Sequence, residues 1–135
     1  MPHRQATILV IDDDAVIREV VCETLRQEGY RAVTAASHAE ALRHLAAFRY
    51  ALILADTEGA TTRDPWPSLE AVRAAAAGTP VFIFSAHLPR SFAGYAERGF
   101  AGVISKPFDL DELLATLSKA LSGRQWPTVP PPGDN

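Results

Sequence analysis

Cysteine is nearly absent from this 135-residue chain: Cys22 stands alone. A single thiol excludes an internal disulfide and cannot anchor a thiolate metal site, which points to a reducing, cytoplasmic setting. Because Cys22 falls within a helical apolar pattern, it reads as core filling. Long apolar runs are lacking too. The opening MPHRQATILVIDDD has no stretch of signal-peptide length, and no segment is long enough to span a bilayer, so no membrane association is expected. Cations are the minority, with 13 Lys and Arg against 16 Asp and Glu and a net charge of -3. Without a basic field or a Lys/Arg run, nucleic-acid binding by this chain alone is not expected. The four histidines, His3, His38, His44 and His87, show no metal-ligand spacing. His38 and His44 do not stand the three or four residues apart that would place them on one helical face. Trp66 and Trp126 read as packing or tail residues.

What is present is an alternation. TILVI (7–11), RAVTAA (31–36), ALILA (51–55), PVFIF (80–84) and AGVIS (101–105) are short apolar runs of strand length. Most lack polar alternation, which suits strands buried on both faces of a parallel sheet. Helical spacing fills the intervals. Val16, Ile17, Val20, Val21 and Leu25 form a stripe in 15–28, ended by Gly29. In 37–48, Ser37 and Glu40 have capping-box spacing. The segment 64–78 has prolines near its start and Gly78 as a stop. PRSFAGYAERG (89–99) has a weaker pattern, and 109–123 is strongly amphipathic, with Asp109 as cap. Five strands alternating with five helices predict an α/β, doubly wound parallel sheet covered on both faces by right-handed crossovers. The domain is expected to occupy 1–122. RQWPTVPPPGDN, within 123–135, reads as a Pro-rich extended tail too small for a core of its own.

Parallel strands deliver whatever follows them to one rim, where open α/β folds bind ligands. Strand one is followed by Asp12, Asp13 and Asp14, strand three by Asp56 and Glu58, strand four by Ser85 and strand five by Lys106. The second strand brings no such residue and is placed at the sheet edge, in a flavodoxin-like order 2-1-3-4-5. Either Asp13 or Asp14 also suits an N-cap for the helix that follows. Carboxylates about 4 Å apart repel by about 4 kcal/mol per pair at an effective dielectric near 20. Such a pocket takes up protons or gathers cations. With Lys106 as its only base, it suits a hard divalent cation with oxygen ligands, most naturally Mg²⁺. A metal beside a lysine and a hydroxyl is a phosphoryl-binding arrangement, in which a free carboxylate can attack phosphorus to give an aspartyl phosphate.

ILVIDDD, ALILAD, FIFSA and ISKPF, in that order and spacing, resemble the receiver domain of bacterial two-component response regulators, over residues 6 to about 122. The resemblance implies that Asp56 is the phosphoacceptor and that Asp12 and Asp13 hold Mg²⁺ together with Asp56 and the Glu58 main-chain carbonyl. It assigns Ser85 and Lys106 to the phosphoryl group and makes the Lys106–Pro107 peptide cis. It implies a signalling switch rather than an enzyme, with only self-catalysed phosphoryl transfer and hydrolysis. The phosphoryl group would come from a sensor histidine kinase or a histidine phosphotransfer protein, and a downstream protein would read the result. The face built by 89–99, 101–105 and 109–123 is the expected partner surface and a candidate homodimer surface.

Three departures stand out. Val103 occupies the position three before the lysine where receivers commonly carry Tyr or Phe, so a ring-flip signal there is not available; Phe100 and Tyr95 are nearby but read as packing residues. The loop TEGATTRDPWP lacks the Met-Pro step frequent in relatives. Glu58, two past the acceptor, has a carboxylate that would repel phosphoryl oxygens or compete for Lys106 and Mg²⁺. Two other functions compete. A degenerate receiver would bind proteins without phosphorylation. ADTEGAT also resembles the acidic loop of haloacid dehalogenase-type phosphohydrolases, but there the nucleophile usually follows the first strand, and the triple Asp would be unexplained.

Overall fold

The computed structural model describes residues 6–57, 64–85 and 94–122. Glu58, His87, the tail from 123 onward, and the termini bearing His3 and Trp126 lie outside the described residues. Five short strands form: β1 Thr7–Ile11, β2 Arg31–Ala35, β3 Leu52–Asp56, β4 Val81–Ser85 and β5 Gly102–Ser105. All neighbours pair in parallel, in the order β2-β1-β3-β4-β5. β1, β3 and β4 are buried at every position. That is the burial their uninterrupted apolar runs predict.

Alternation along each strand sorts the core into two layers. Ile8, Val10, Leu52, Leu54, Phe82 and Phe84 pack with α1 (Ala15–Gln27) and α4 (Leu110–Leu121) through Val21, Leu25, Leu113 and Leu117. Leu9, Ile11, Ile53, Ala55, Val81 and Ile83 face the other way, against α2 (His38–Ala47) and α3 (Trp66–Ala76) through Ala41, Leu69 and Val72. Each fully buried Leu or Ile contributes roughly 1.5–3 kcal/mol. Cys22 is buried in the first layer, as core filling requires. At the β5 edge Gly102 lies so close to Phe82 that a Cβ there would come within 3.0 Å of the ring.

Caps follow the sequence closely. Asp14 is the N-cap of α1 and accepts from the Val16 and Ile17 N–H groups, which leaves Asp12 and Asp13 for other work. Ser37 Oγ accepts from Glu40 N–H at 3.1 Å, and Glu40 reaches back to Ala36 N–H at 2.7 Å, one residue upstream of the usual capping-box partner. Asp109 caps α4.

The helix count is the correction. Five helices were expected and four are present among the described residues. Of the segment 89–99, the described part, 94–99, is a run of turns. Gly94 and Gly99 bracket it with φ of 87° and 94°, a conformation that ends helices rather than extending them. No helix among the described residues is long and apolar enough to cross a membrane.

Candidate functional site

The first carboxylate, Asp12, extends the β1–β2 ladder by one bond, its N–H donating to the Ala35 carbonyl at 3.1 Å. Its side chain is fully buried, and Oδ1 accepts from Asp14 N–H at 2.9 Å. Asp13, the next residue, is exposed. The third carboxylate, Asp56, is the last residue of β3 and is buried. One oxygen from each of Asp12, Asp13 and Asp56 lies within 4.8 Å of the others. Residues 44 positions apart in the chain thus meet because β1 and β3 are adjacent and parallel.

Lys106 enters from the far edge. Its N–H donates to the Ser85 carbonyl at 2.7 Å, which continues the β4–β5 ladder past β5. The side chain then passes over the Phe84 ring, with Nζ 5.4 Å from the ring centroid. Nζ donates to Asp12 Oδ2 at 2.7 Å and to Asp56 Oδ1 at 3.1 Å. Burial opposes its charge, but the hydrogen bond to Asp12 and the charges of Asp56 and Asp12 outweigh that, so the lysine pKa is raised and the ammonium persists. The Lys106–Pro107 peptide is cis.

Ser85 ends β4, one residue beyond the Asp56↔Phe84 pair, and is buried. Its Oγ accepts from Thr57 Oγ1 at 3.4 Å, and Thr57 N–H donates to the Phe84 carbonyl at 3.2 Å. The ends of β1, β3, β4 and β5 therefore share one rim, as predicted. Among the described residues, these three carboxylates outnumber the Lys106 ammonium that pairs with two of them. The all-oxygen donor set, exposed on the Asp13 side, fits a hard divalent cation such as Mg²⁺ and offers no nitrogen or sulfur that would favour zinc.

Two residues at this rim escaped sequence reasoning. Arg18 Nη1 donates to the Asp12 carbonyl at 2.6 Å. His38, the first residue of α2 and buried, places Nε2 at 2.5 Å from the Asp56 carbonyl. A carbonyl only accepts, so Nε2 carries the proton. Desolvation lowers the His38 pKa against the opposing pull of the Asp56 carbonyl. The second strand, expected to bring nothing to the rim, thus delivers His38 through the helix that follows it. The only available signal was its position directly after the Ser37 cap. His44 Nε2 instead donates to the Thr34 carbonyl, 3.2 Å away.

Further out, Trp66 at the start of α3 packs on Phe100, with ring centroids 5.7 Å apart. Arg98 lies over Trp66 at 4.1 Å and donates to Glu70 at 3.0 Å. Phe100 and Tyr95 belong to the core layer beneath α2 and α3, alongside Val103, which confirms their packing role.

A parallel five-stranded α/β sheet that gathers acids, a hydroxyl and a lysine on its carboxyl rim has the layout of a doubly wound ligand-binding domain. The family described as the response regulator receiver domain matches residues 8–118, and the chain belongs to it. It is 32% identical over 123 residues to the transcriptional regulatory protein GlrR of Escherichia coli K12, a match covering 90% of this chain and 27% of that protein. It is 34% identical over 118 residues to the DNA-binding transcriptional regulator NtrC of Rhizobium meliloti, covering 87% of this chain and 24% of that one. The chain thus spans about a quarter of the length of these curated relatives. Among solved structures, a chemotaxis response regulator of Vibrio cholerae superposes with a TM-score of 0.76 at 30% identity, covering 86% of this chain and 98% of that one. The receiver domain of NtrX from Brucella abortus gives 0.77 at 28% identity, covering 87% and 99%. Receiver domains are signalling domains that bind Mg²⁺ at an acidic pocket, and Asp12, Asp13 and Asp56 form an acidic group in this chain.

Proposed function

We propose that this receiver takes a phosphoryl group onto Asp56 and that the resulting change in charge switches a protein-binding surface. The observation that carries the reading is the Lys106 ammonium shared between Asp12 Oδ2 and Asp56 Oδ1, with Asp13 beside them. An oxygen of the Asp56 carboxylate attacks phosphorus while the bond from phosphorus to the donor's leaving atom breaks. That leaving atom is a histidine nitrogen when a histidine kinase or phosphotransfer protein supplies the group. Lys106 follows the charge, pairing with phosphoryl oxygens that arrive where it now holds Asp56. Ser85 donates its hydroxyl proton to one of those oxygens, while its Oγ can still accept from Thr57 Oγ1. Asp12, Asp13 and Asp56, with the Glu58 carbonyl as an added ligand, would hold Mg²⁺, which would supply neutralisation of the charge that develops in transfer.

The partner surface is the one around β5 and α4, where the half-buried Val103, Ile104 and Phe108 border a groove with Asp109 and Glu112. Val103 offers no aromatic ring to flip, so the readout rests on the backbone and on this apolar rim.

The test is intact mass after incubation with acetyl phosphate and Mg²⁺. A gain of about 80 Da, one phosphoryl group, is expected for the native chain and not for Asp56→Asn. Absence of the gain with acetyl phosphate and with a cognate kinase overturns the reading in favour of a phosphorylation-independent binding module. Release of many phosphates per chain from a small ester overturns it in favour of a phosphohydrolase.

A further inference from the structure

We infer that His38 is a positioning residue for the site: its Nε2–H holds the end of β3 so that the Asp56 carboxylate stays in register with Asp12, Asp13 and Lys106. The inference deepens the phosphoacceptor reading and rests on it for its kinetic arm alone.

The β1–β3 register ends at Ile11↔Ala55, whereas β3 runs on to Asp56. Asp56 is therefore the first β3 residue with no paired β1 residue in that register. On the β4 side the ladder continues, through Asp56↔Phe84 and the Thr57 N–H bond to the Phe84 carbonyl. His38 adds a side-chain hold where that register ends, 2.5 Å from the Asp56 carbonyl, although it stands 18 positions earlier in the chain. The residue is 4% exposed, and Nδ1 has no hydrogen-bond partner among the described residues. A buried imidazole with one nitrogen unused is costly filler. The nitrogen that is used is aimed at the backbone of the one residue whose placement the chemistry depends on.

α2 is itself anchored, so the donor is not free to wander. The Ser37 cap and the Glu40 bond to Ala36 N–H fix its first turn, and Ala41 is buried against the core layer below. Arg18 stands in the corresponding place for the other buried acid, donating to the Asp12 carbonyl. Each buried carboxylate thus has its own peptide carbonyl tied to a side chain from a neighbouring helix. Groups that orient metal ligands in this indirect way typically change metal affinity or activity by about 10–100-fold when removed.

The test compares three replacements of similar bulk or polarity. His38→Gln places an amide N–H near the position of Nε2. His38→Met fills the space without a donor, and His38→Asn keeps an amide that is too short to reach. Two quantities are read for each folded variant, with thermal unfolding as a check on folding: the Mg²⁺ dissociation constant by calorimetry, and the rate of acetyl phosphate labelling at saturating Mg²⁺. His38→Met and His38→Asn are expected to weaken Mg²⁺ binding and to slow labelling by about tenfold or more, while His38→Gln stays within about twofold of the native chain. A folded His38→Met or His38→Asn with native values, or His38→Gln losing as much as they do, overturns the inference. Were the native chain to bind Mg²⁺ without becoming labelled, the phosphoacceptor reading would fall while the Mg²⁺ comparison still judged His38. Native protein that binds no Mg²⁺ overturns both.

Discussion

Replacing Lys106 with Met removes the ammonium that Asp12 and Asp56 share and keeps an apolar stem of similar length. The two carboxylates it abandons are both fully buried. At an effective dielectric near 20, the attraction lost is roughly 6 kcal/mol at the 2.7 Å contact and roughly 5 kcal/mol at the 3.1 Å contact. Part of this is returned because the ammonium no longer has to be desolvated, so the net loss falls to about 3–5 kcal/mol, the usual cost of breaking a buried pair from one side. Against a total stability of roughly 5–15 kcal/mol this is a large fraction. Urea unfolding without divalent ions measures it as a lower midpoint at unchanged slope. Added Mg²⁺ should raise the midpoint of Lys106→Met more than that of the native chain, since the metal then supplies the counter-charge alone. Asp12→Asn in the Lys106→Met background should recover part of the loss by removing one of two facing charges, a coupling that a double-mutant cycle isolates. A Lys106→Met protein within about 1 kcal/mol of native without Mg²⁺ would refute the picture of a dry, negatively overcharged pocket.

Alkaline pH should destabilise the fold through groups that the interior keeps protonated. Burial raises the pKa of the Cys22 thiol above its ordinary 9.0, against the lowering pull of Arg26 and Arg18, and burial raises that of Tyr30 above 10.0. The unfolded chain then loses protons first, so stability is full below about pH 9 and declines as pH rises above it. Cys22→Ala should remove the first part of that decline in pH-dependent melting, and Cys22 in the native chain should react with a thiol reagent only at the rate of unfolding. Gly99→Ala should cost about 1–2 kcal/mol from its left-handed backbone alone. The new Cβ would also meet Arg73 Cδ at 2.9 Å, so a melting temperature equal to native would show that the turn and Arg73 yield freely.

Much of this protein was legible from the chain alone, for local reasons. Strands buried on both faces are apolar along nearly their whole length, so Thr7–Ile11, Leu52–Asp56 and Val81–Ser85 announce themselves as apolar runs, polar only at Thr7 and at the rim residues Asp56 and Ser85. Asp14, Ser37 and Asp109 cap helices through hydrogen bonds two or three residues long, and short-range chemistry of that kind is written in neighbouring letters. The shared rim of Asp12, Asp56, Ser85 and Lys106 followed from parallel strands all ending on one side. Only tertiary structure decided the rest. Residues 94–99 form turns because glycines at both ends take positive φ, which a weak helical pattern does not reveal. That Asp14 rather than Asp13 takes the cap, that Arg98 lies over Trp66, and that His38 reaches the Asp56 carbonyl all depend on the distances between packed elements. Hydrophobic period specifies which face of an element is buried, but which side chains then meet across 18 or 94 positions of sequence is set by how those faces pack.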